Sequence, residues 1–476
     1  MLDFAHNLYY ETITKDYMQI LSPQLYIKSP GDSAQRLNKM IAYFNKNGIS
    51  MIADNCYFPM INKIADRLKT QKDQILSDIK KEERLQKRKL TYSDLSDHTR
   101  SKIDQLLKQI LKEVPSYLDN DAVLLKKQLE FDPERLIGPE DITIPLLMEM
   151  NIDQIYTNYG ADKINQANHF VVKRTLALNH QLNDTLRDAC YPVAGATDYD
   201  TALEAGRSFG GAGIQAIALA LGAFMSETSY TDSITVNGHS YKLPESLPNN
   251  ILQCALLTKG FLVGYAQSTR TVPSRMHLLG LGSLMMITTL TAALTGIKQM
   301  TFDATSPIYD ANQGIFYVNQ PARLKLKSEK IAQWLATQAG AQWECNCPFC
   351  TKFTQKYPFD YAKGQKIYKN AGLAEIKKEH LMGHGILSEC YSLLGGSEIS
   401  SVRRDIVAAR VGHNHWMIKE MVNETNSIAE PTDIVTYVKQ TIDNYTTHSA
   451  SRKQASAYQL AYKIMCADNV EVCLKN

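Results

Sequence analysis

The sequence predicts an α/β protein built as a (β/α)8 TIM barrel, with a charged helical insertion and a smaller helical region after it. Three observations predict this. Short apolar runs alternate with amphipathic helical stretches between about residues 20 and 305. Two of those runs end on acids, Asp54 and Asp303, and a parallel barrel delivers its reactive groups at strand C-termini. The chain has 476 residues, enough for a barrel of roughly 250 residues with insertions.

The elements follow in order. Residues 1–20 read as a helical lead-in and QLYIKSP as the first strand, closed by Pro30 and Gly31. A helix over Ser33 to Asn47 stops at Gly48, and ISMIADN forms the next strand, ending on Asp54. From about 63 to 136 the pattern changes to charged helices, with Lys80, Lys81, Arg84, Lys87, Arg88 and Lys89 among Glu82 and Glu83. This insertion is either a solvated charged face or an element that tracks phosphates. Barrel rhythm returns with a helix in PEDITIPLLMEMN and a strand in IDQIYTN. A long helix then spans Asp162 to Ala189, with Phe170, Val171, Leu176, Leu178 and Leu182 for its buried face. CYPVAGA and IQAIALALG are strands around the helix TDYDTALEAGRSFG, and Thr228 to Ser246 makes a surface hairpin. The helix NNILQCALLTKG, the strand RMHLLGLG, a helix over Leu284 to Thr295 and the strand QMTFDAT complete the series. Seven strands are placed; the eighth belongs just after Asp54 or inside the insertion. The barrel thus takes residues 1–330, and 331–476 form the C-terminal unit.

Composition narrows the function classes. A net charge of +3 argues for nucleic acid only if a basic footprint is local, and Arg323, Lys325 and Lys327 alternate so that a strand would put them on one side. They are either a charge-protected edge or a phosphate-contacting strip. Leu278 to Gly296 is uncharged but broken by Gly280, Gly282 and Gly296, so a strand, a loop and a helix fit it better than a membrane span. The N-terminus has no basic stretch leading into an apolar core, which favours a cytoplasmic location.

Nine cysteines include the cluster Cys345, Cys347 and Cys350 in C-x-C-x-x-C spacing. Such crowding suits a tetrahedral Zn2+ in a reducing compartment better than disulfides. His380, His384, His413 and His415 are available as the fourth ligand. Three thiolates and a histidine would make a closed, structural site.

These residues carry a resemblance. ADNCYF at 53–58, PEDITIPLLMEMNID, MHLLGLG followed by TFDAT, and CNCPFC with a later His-Asn pair are similar to motifs of the tRNA-guanine transglycosylase superfamily, most of all the branch that inserts 7-deazaguanine bases into DNA. The resemblance implies Asp303 as nucleophile, Asp54 as acid/base, and His413 as the fourth zinc ligand. It implies a base pocket lined by Asn55, Tyr57, Phe58, Asn158, Tyr159, Gly195, Gly222 and Gly282, with Tyr57, Phe58 and Tyr159 as a stacking platform. The chain departs from the family where a Gln-Gly-Gly loop aligns with Ala194, Gly195 and Ala196, and where the basic Pro-Thr-Arg motif after Asp303 is missing. The expected activity is exchange of guanine in DNA for 7-cyano-7-deazaguanine, with accessory proteins as further partners. The alternatives are the same reaction on tRNA, or a non-catalytic nucleic-acid-binding subunit on this scaffold.

Overall fold

The computed structural model describes residues 2–7, 18–21, 32–55, 57–118, 121–152, 154–155, 161–221, 233–236, 238–243, 247–320, 322–331, 345–359, 362, 366, 385–387 and 399–467. In chain order the strands are β1 (Leu2–Asn7), β2 (Gln19–Leu21), β3 (Met51–Ala53), β4 (Arg135–Ile137), β5 (Cys190–Tyr191), β6 (Val193–Ala194), β7 (Ala216–Ala220), a hairpin of β8 (Ser233–Val236) and β9 (His239–Lys242), β10 (Arg275–Leu279), β11 (Gln299–Asp303), and a second hairpin of β12 (Ile315–Val318) and β13 (Leu324–Lys327).

Nine strands form one sheet in the order β5, β4, β3, β2, β1, β11, β10, β7, β6. Every neighbouring pair is parallel. All their C-terminal ends therefore lie along one edge. The two outermost strands are separated in the chain by Pro192 alone, so the stretch Cys190–Ala194 pairs with β4 through its first half and with β7 through its second. Proline has no N–H to give a ladder, which divides the stretch in two; its carbonyl still accepts from Ala218 N at 3.0 Å.

The helices are α1 (Asp32–Asn47), α2 (Tyr57–Gln86), α3 (Asp97–Leu118), α4 (Asp121–Leu129), α5 (Thr143–Glu149), α6 (Ala161–Asn179), α7 (Asp184–Ala189), α8 (Tyr199–Gly211), α9 (Asn249–Thr269), α10 (Leu284–Thr291) and α11 (Ser306–Asn312). Beyond them come α12 (Pro348–Lys356), α13 (Ile399–Asn426), α14 (Pro431–His448) and α15 (Arg452–Cys466). The main core joins strand residues such as Ile217, Leu278 and Phe302 to Phe209, Phe261 and Leu290 of the covering helices. No helix among the described residues is long and apolar enough to cross a membrane.

The C-terminal helices belong to the same core. Ile418, Met421, Val438 and Ala461 are part of it, and Asn426 Oδ1 accepts from Leu2 N at 2.7 Å. Residue 330 is thus no boundary between cores. The insertion does have a core of its own, in which Ile64, Leu68, Ile75 and Ile79 of α2 meet Ile103, Leu106 and Ile110 of α3 and Leu146 and Leu147 of α5.

Several sequence expectations are corrected. Of the lead-in, the described residues form β1 and the start of β2 rather than a helix, while 8–17 and QLYIKSP lie outside the described residues. In IDQIYTN the described residues Gln154 and Ile155 form a 3-10 turn rather than a strand, and 153 and 156–158 lie outside the described residues. The missing strand is β4, at the very end of the insertion. Its three residues, Arg135–Ile137, are too few to show a period. The long helix from Asp162 is broken after Asn179 and restarts at Asp184, where Asn183 caps it by accepting from Leu186 N at 2.9 Å. Phe170 and Leu176 are 44% and 49% exposed rather than core, and the Arg174 guanidinium lies over the Phe170 ring.

Candidate active site and metal centre

Asp303 ends β11, and the register explains what it meets. In a parallel ladder, partners share a face, so His277 stands beside Thr301, its Cα partner, and Asp303 follows Thr301 on that face two residues on. His277 Nδ1 lies 2.8 Å from Thr301 Oγ1, and His277 Nε2 lies 3.2 Å from Asp303 Oδ1. The amide of Gly280 donates to the same Oδ1 at 3.2 Å, from a turn whose φ of 75° suits glycine.

An ionised carboxylate can only accept, so His277 Nε2 donates to Asp303 Oδ1, while Nδ1 and the Thr301 hydroxyl share the second hydrogen bond. Oδ1 is therefore fixed by two donors, and Oδ2 has no hydrogen-bond partner among the described residues. The residue types match a Thr-His-Asp triad, but burial inverts the roles. Thr301 and His277 are 1% and 0% exposed, whereas the Asp303 side chain keeps 16% of its surface open. The hydroxyl is the anchor and the carboxylate is the end that a substrate can reach.

Asp54 follows β3 on the same edge of the sheet. Its neighbour Asn55 is 5% exposed and fully engaged: Nδ2 donates to Gly138 O at 3.3 Å and Glu140 Oε2 at 3.0 Å, and Oδ1 accepts from Tyr57 N at 3.2 Å. Arg174 from α6 donates to Glu140 O at 3.1 Å and to the Tyr57 hydroxyl at 3.0 Å. Burial pushes the Glu140 carboxyl up to about 7; the Asn55 hydrogen bond opposes the rise, and the charges of Asp54 and Asp141 add to it. This half of the edge is rich in acids, the Asp303 half in donors.

Other expected pocket residues are present at the edge but occupied. Tyr57 is 1% exposed and cannot offer a stacking face, because its ring is packed in the insertion core. Gly195 has both backbone groups clamped by Asn168, its carbonyl accepting at 2.9 Å and its N–H donating at 3.2 Å. Gly282 serves close packing: a Cβ there would stand 2.0 Å from Ser306 Oγ and 2.7 Å from Ala304 Cβ. Phe58 is the second residue of α2, but its side chain, like Asn158, Tyr159 and Gly222, lies outside the described residues.

The expected basic strip divides. Arg323 precedes β13, is 4% exposed, and pairs with Glu424 at 3.0 Å and with the Tyr437 hydroxyl. It is turned inward, because a buried guanidinium needs that carboxylate. Lys325 reaches Asp310 at 2.8 Å over the Tyr317 ring. Of the three, Lys327 is exposed and has no partner among the described residues.

The cysteine cluster behaves as its spacing suggests. Cys345, Cys347, Cys350 and His413 place their ligand atoms within 4.8 Å of one another. His413 Nδ1 lies 3.5, 3.7 and 3.5 Å from the three sulfurs. Ligands at ordinary Zn–S and Zn–N lengths around a tetrahedral ion stand about 3.6 Å apart, so the donor set fits Zn2+. Hydrogen bonds within the set hold the Cys345 thiol well below its usual range and push Cys350 up.

His413 Nε2 donates to Tyr317 O at 3.0 Å, which makes Nδ1, turned to the three sulfurs, the ligating nitrogen. Asn414 pins the same helix by accepting from Tyr317 N at 2.9 Å and donating to Ile315 O at 3.0 Å. Gly412 lets α13 come this close to α12, since a Cβ there would meet the Phe349 ring at 2.2 Å. His415 is buried, and burial pushes it down to about 3; His380 and His384 lie outside the described residues.

No family model matches the chain, and no curated protein matches it. The sequence reading had missed His277, Thr301, Glu140 and Arg174. Two signals could have found the first three. Aligning MHLLG with MTFDA as neighbouring parallel strands puts His277, Thr301 and Asp303 on one face. Recognising Arg135–Ile137 as a strand puts Gly-Pro-Glu where β3 has Asp54. Arg174, mid-helix, gives no such signal.

Proposed function

We propose that the protein is a base-exchange transglycosylase that replaces guanine in DNA with 7-cyano-7-deazaguanine, working at the mouth of a closed eight-stranded barrel. The continuity of Cys190–Ala194 across both ends of the strand row supports the closure. The observation that carries the function is Asp303: a partly open carboxylate at a strand C-terminus, with one oxygen fixed by His277 and Gly280 and the other unengaged.

Asp303 Oδ2 attacks C1′ of the target nucleotide as the C1′–N9 bond breaks, forming a covalent ester. Asp54 gives its proton to the departing guanine. The incoming base returns a proton to Asp54, and its nitrogen displaces the Asp303 carboxylate from C1′. Two inversions restore the original configuration, and the strand is never cut. Glu140, beside Asp54, holds a proton near neutral pH and is suited to read a base edge as donor or acceptor. Asp303 and Asp54 stand three strands apart, about 14 Å along a sheet and less across a closed mouth. The target base must leave its stack to lie between them, at a cost of a few kcal/mol. Zinc bound at the cysteine cluster would brace the α12–α13 packing; it supplies no step.

The test is exchange of labelled guanine from plasmid DNA and from tRNA on addition of 7-cyano-7-deazaguanine. Loss of label from DNA is expected. Loss from tRNA alone would transfer the activity to RNA, and loss from neither would remove it.

A further inference from the structure

The insertion begins at the proposed site, since α2 starts two residues after Asn55. Its thirty residues extend about 45 Å. At its far end, between Asp78 and Lys102, the chain carries eight Lys and Arg against five Asp and Glu. The acids are all engaged. Asp78 pairs with Lys81 and Lys102, Glu83 with Lys89, Asp94 with Arg88 and Asp97 with Arg100. Glu82 accepts from Ser96 N at 2.8 Å and from the Ser96 and Thr99 hydroxyls at 2.7 and 2.6 Å.

Those pairs fold the tip, and they leave three cations over. Lys80, Arg84 and Lys87 are exposed and have no acidic partner among the described residues. Lys80 and Arg84, spaced i and i+4, fall on one face of α2, and Lys87 follows directly past its last residue. Lys87 is the residue at which the helix stops, with a φ of 54°. Beside them Leu85 is 83% exposed. On the same face two turns back, Asp73 is exposed and bounds the strip on its inner side.

A merely solvated helix face mixes signs. Here four of the five acids, Asp78, Glu82, Glu83 and Asp94, are half-buried against the hairpin while Asp97 stays exposed beside Arg100, and the surplus cations are lined up outside, on an element with its own apolar core. From this we infer that Lys80, Arg84 and Lys87 form a backbone-contacting strip that holds duplex DNA on the insertion while a nucleotide is worked on at the sheet edge. The strip rests on the transglycosylase reading for its choice of DNA, but its own evidence is the charge arrangement.

The test uses the full-length zinc-loaded protein and the variant Lys80→Gln/Arg84→Gln/Lys87→Gln. Fluorescence anisotropy with a labelled 30-base-pair duplex is measured across a salt series. Circular dichroism checks that the helix content is kept, which these exposed positions should allow. Three lost phosphate contacts should reduce the slope of log K against log salt by about 2.7. An unchanged slope overturns the strip, as does a variant that loses binding to anionic phosphatidylserine vesicles but keeps its DNA slope. Covalent adduct formation, scored in parallel, separates the two claims. Adduct with an unchanged slope sinks the strip and spares the chemistry; a reduced slope with no adduct from the unmodified protein does the reverse.

Discussion

The two halves of the sheet edge are furnished in opposite ways. Asp303 faces donors, a buried imidazole and a backbone amide that both point at one oxygen. Asp54 sits among acids, with Glu140 half-buried nearby and its carboxyl pushed up to about 7. The first arrangement suits a carboxylate that must attack, the second a region that must take up and release a proton at neutral pH. One edge of one sheet can thus hold two acids with different tasks, because the neighbouring strands bring different partners.

The largest effect that would break this comparison comes from Asp303→Asn. It keeps the shape and the His277 contact while removing the attacking oxygen, and exchange should fall by about 10⁴-fold or more. Near-normal exchange in a steady-state assay would mean that the donor-rich half is structural. Next comes His277→Phe, which removes one of the two donors. A hydrogen bond to a charged group contributes about 1.5–3 kcal/mol, so kcat should fall roughly 10–100-fold with KM little changed. His277→Gln, which can still donate, should recover part of the loss; if both variants move KM and kcat together, the histidine only packs.

Glu140→Gln sharpens the other half. Burial pushes the Glu140 carboxyl up to about 7 in the folded protein, from the usual 4.5 of a glutamate. The folded form therefore holds its proton more tightly, and the associated stability is complete below about pH 4.5 and lost as pH rises through 7. Gln cannot ionise, so the variant should match the unmodified protein near pH 4 and exceed it by about 3 kcal/mol at pH 8 in urea unfolding. Equal stability at both pH values would show that Glu140 is not held in its neutral form. The smallest effect on exchange should come from chelation. Removing the metal should lower Tm and open the α12–α13 region to protease, while adduct formation persists at temperatures where the parallel sheet remains folded. Chelation that stopped the chemistry without loosening that region would argue for a metal at the reacting centre.

The sequence disclosed what is local and concealed what depends on register. Cys345, Cys347 and Cys350 lie within six positions, so their purpose is visible in a short window, and Asp303 declares itself by ending an apolar run. The strands β1, β2 and β4 were hidden because a three-residue strand shows no period, and β1 carries polar residues where a fully apolar run was sought. His277 was hidden because its meaning lies in a partner 24 residues on. Glu140 needed β4 to be seen first. Arg323 misled for the same reason in reverse: the alternation with Lys325 is real, but the strand starts one residue later, and Glu424 draws the guanidinium inward.

The account's central claim is tested most directly by trapping the protein on guanine-containing DNA, digesting both polymers and locating the adduct by mass spectrometry. A deoxyribose ester on the Asp303 carboxylate is the predicted result. An adduct on any other residue, or continued base exchange with Asp303 unmodified and replaceable, would contradict it.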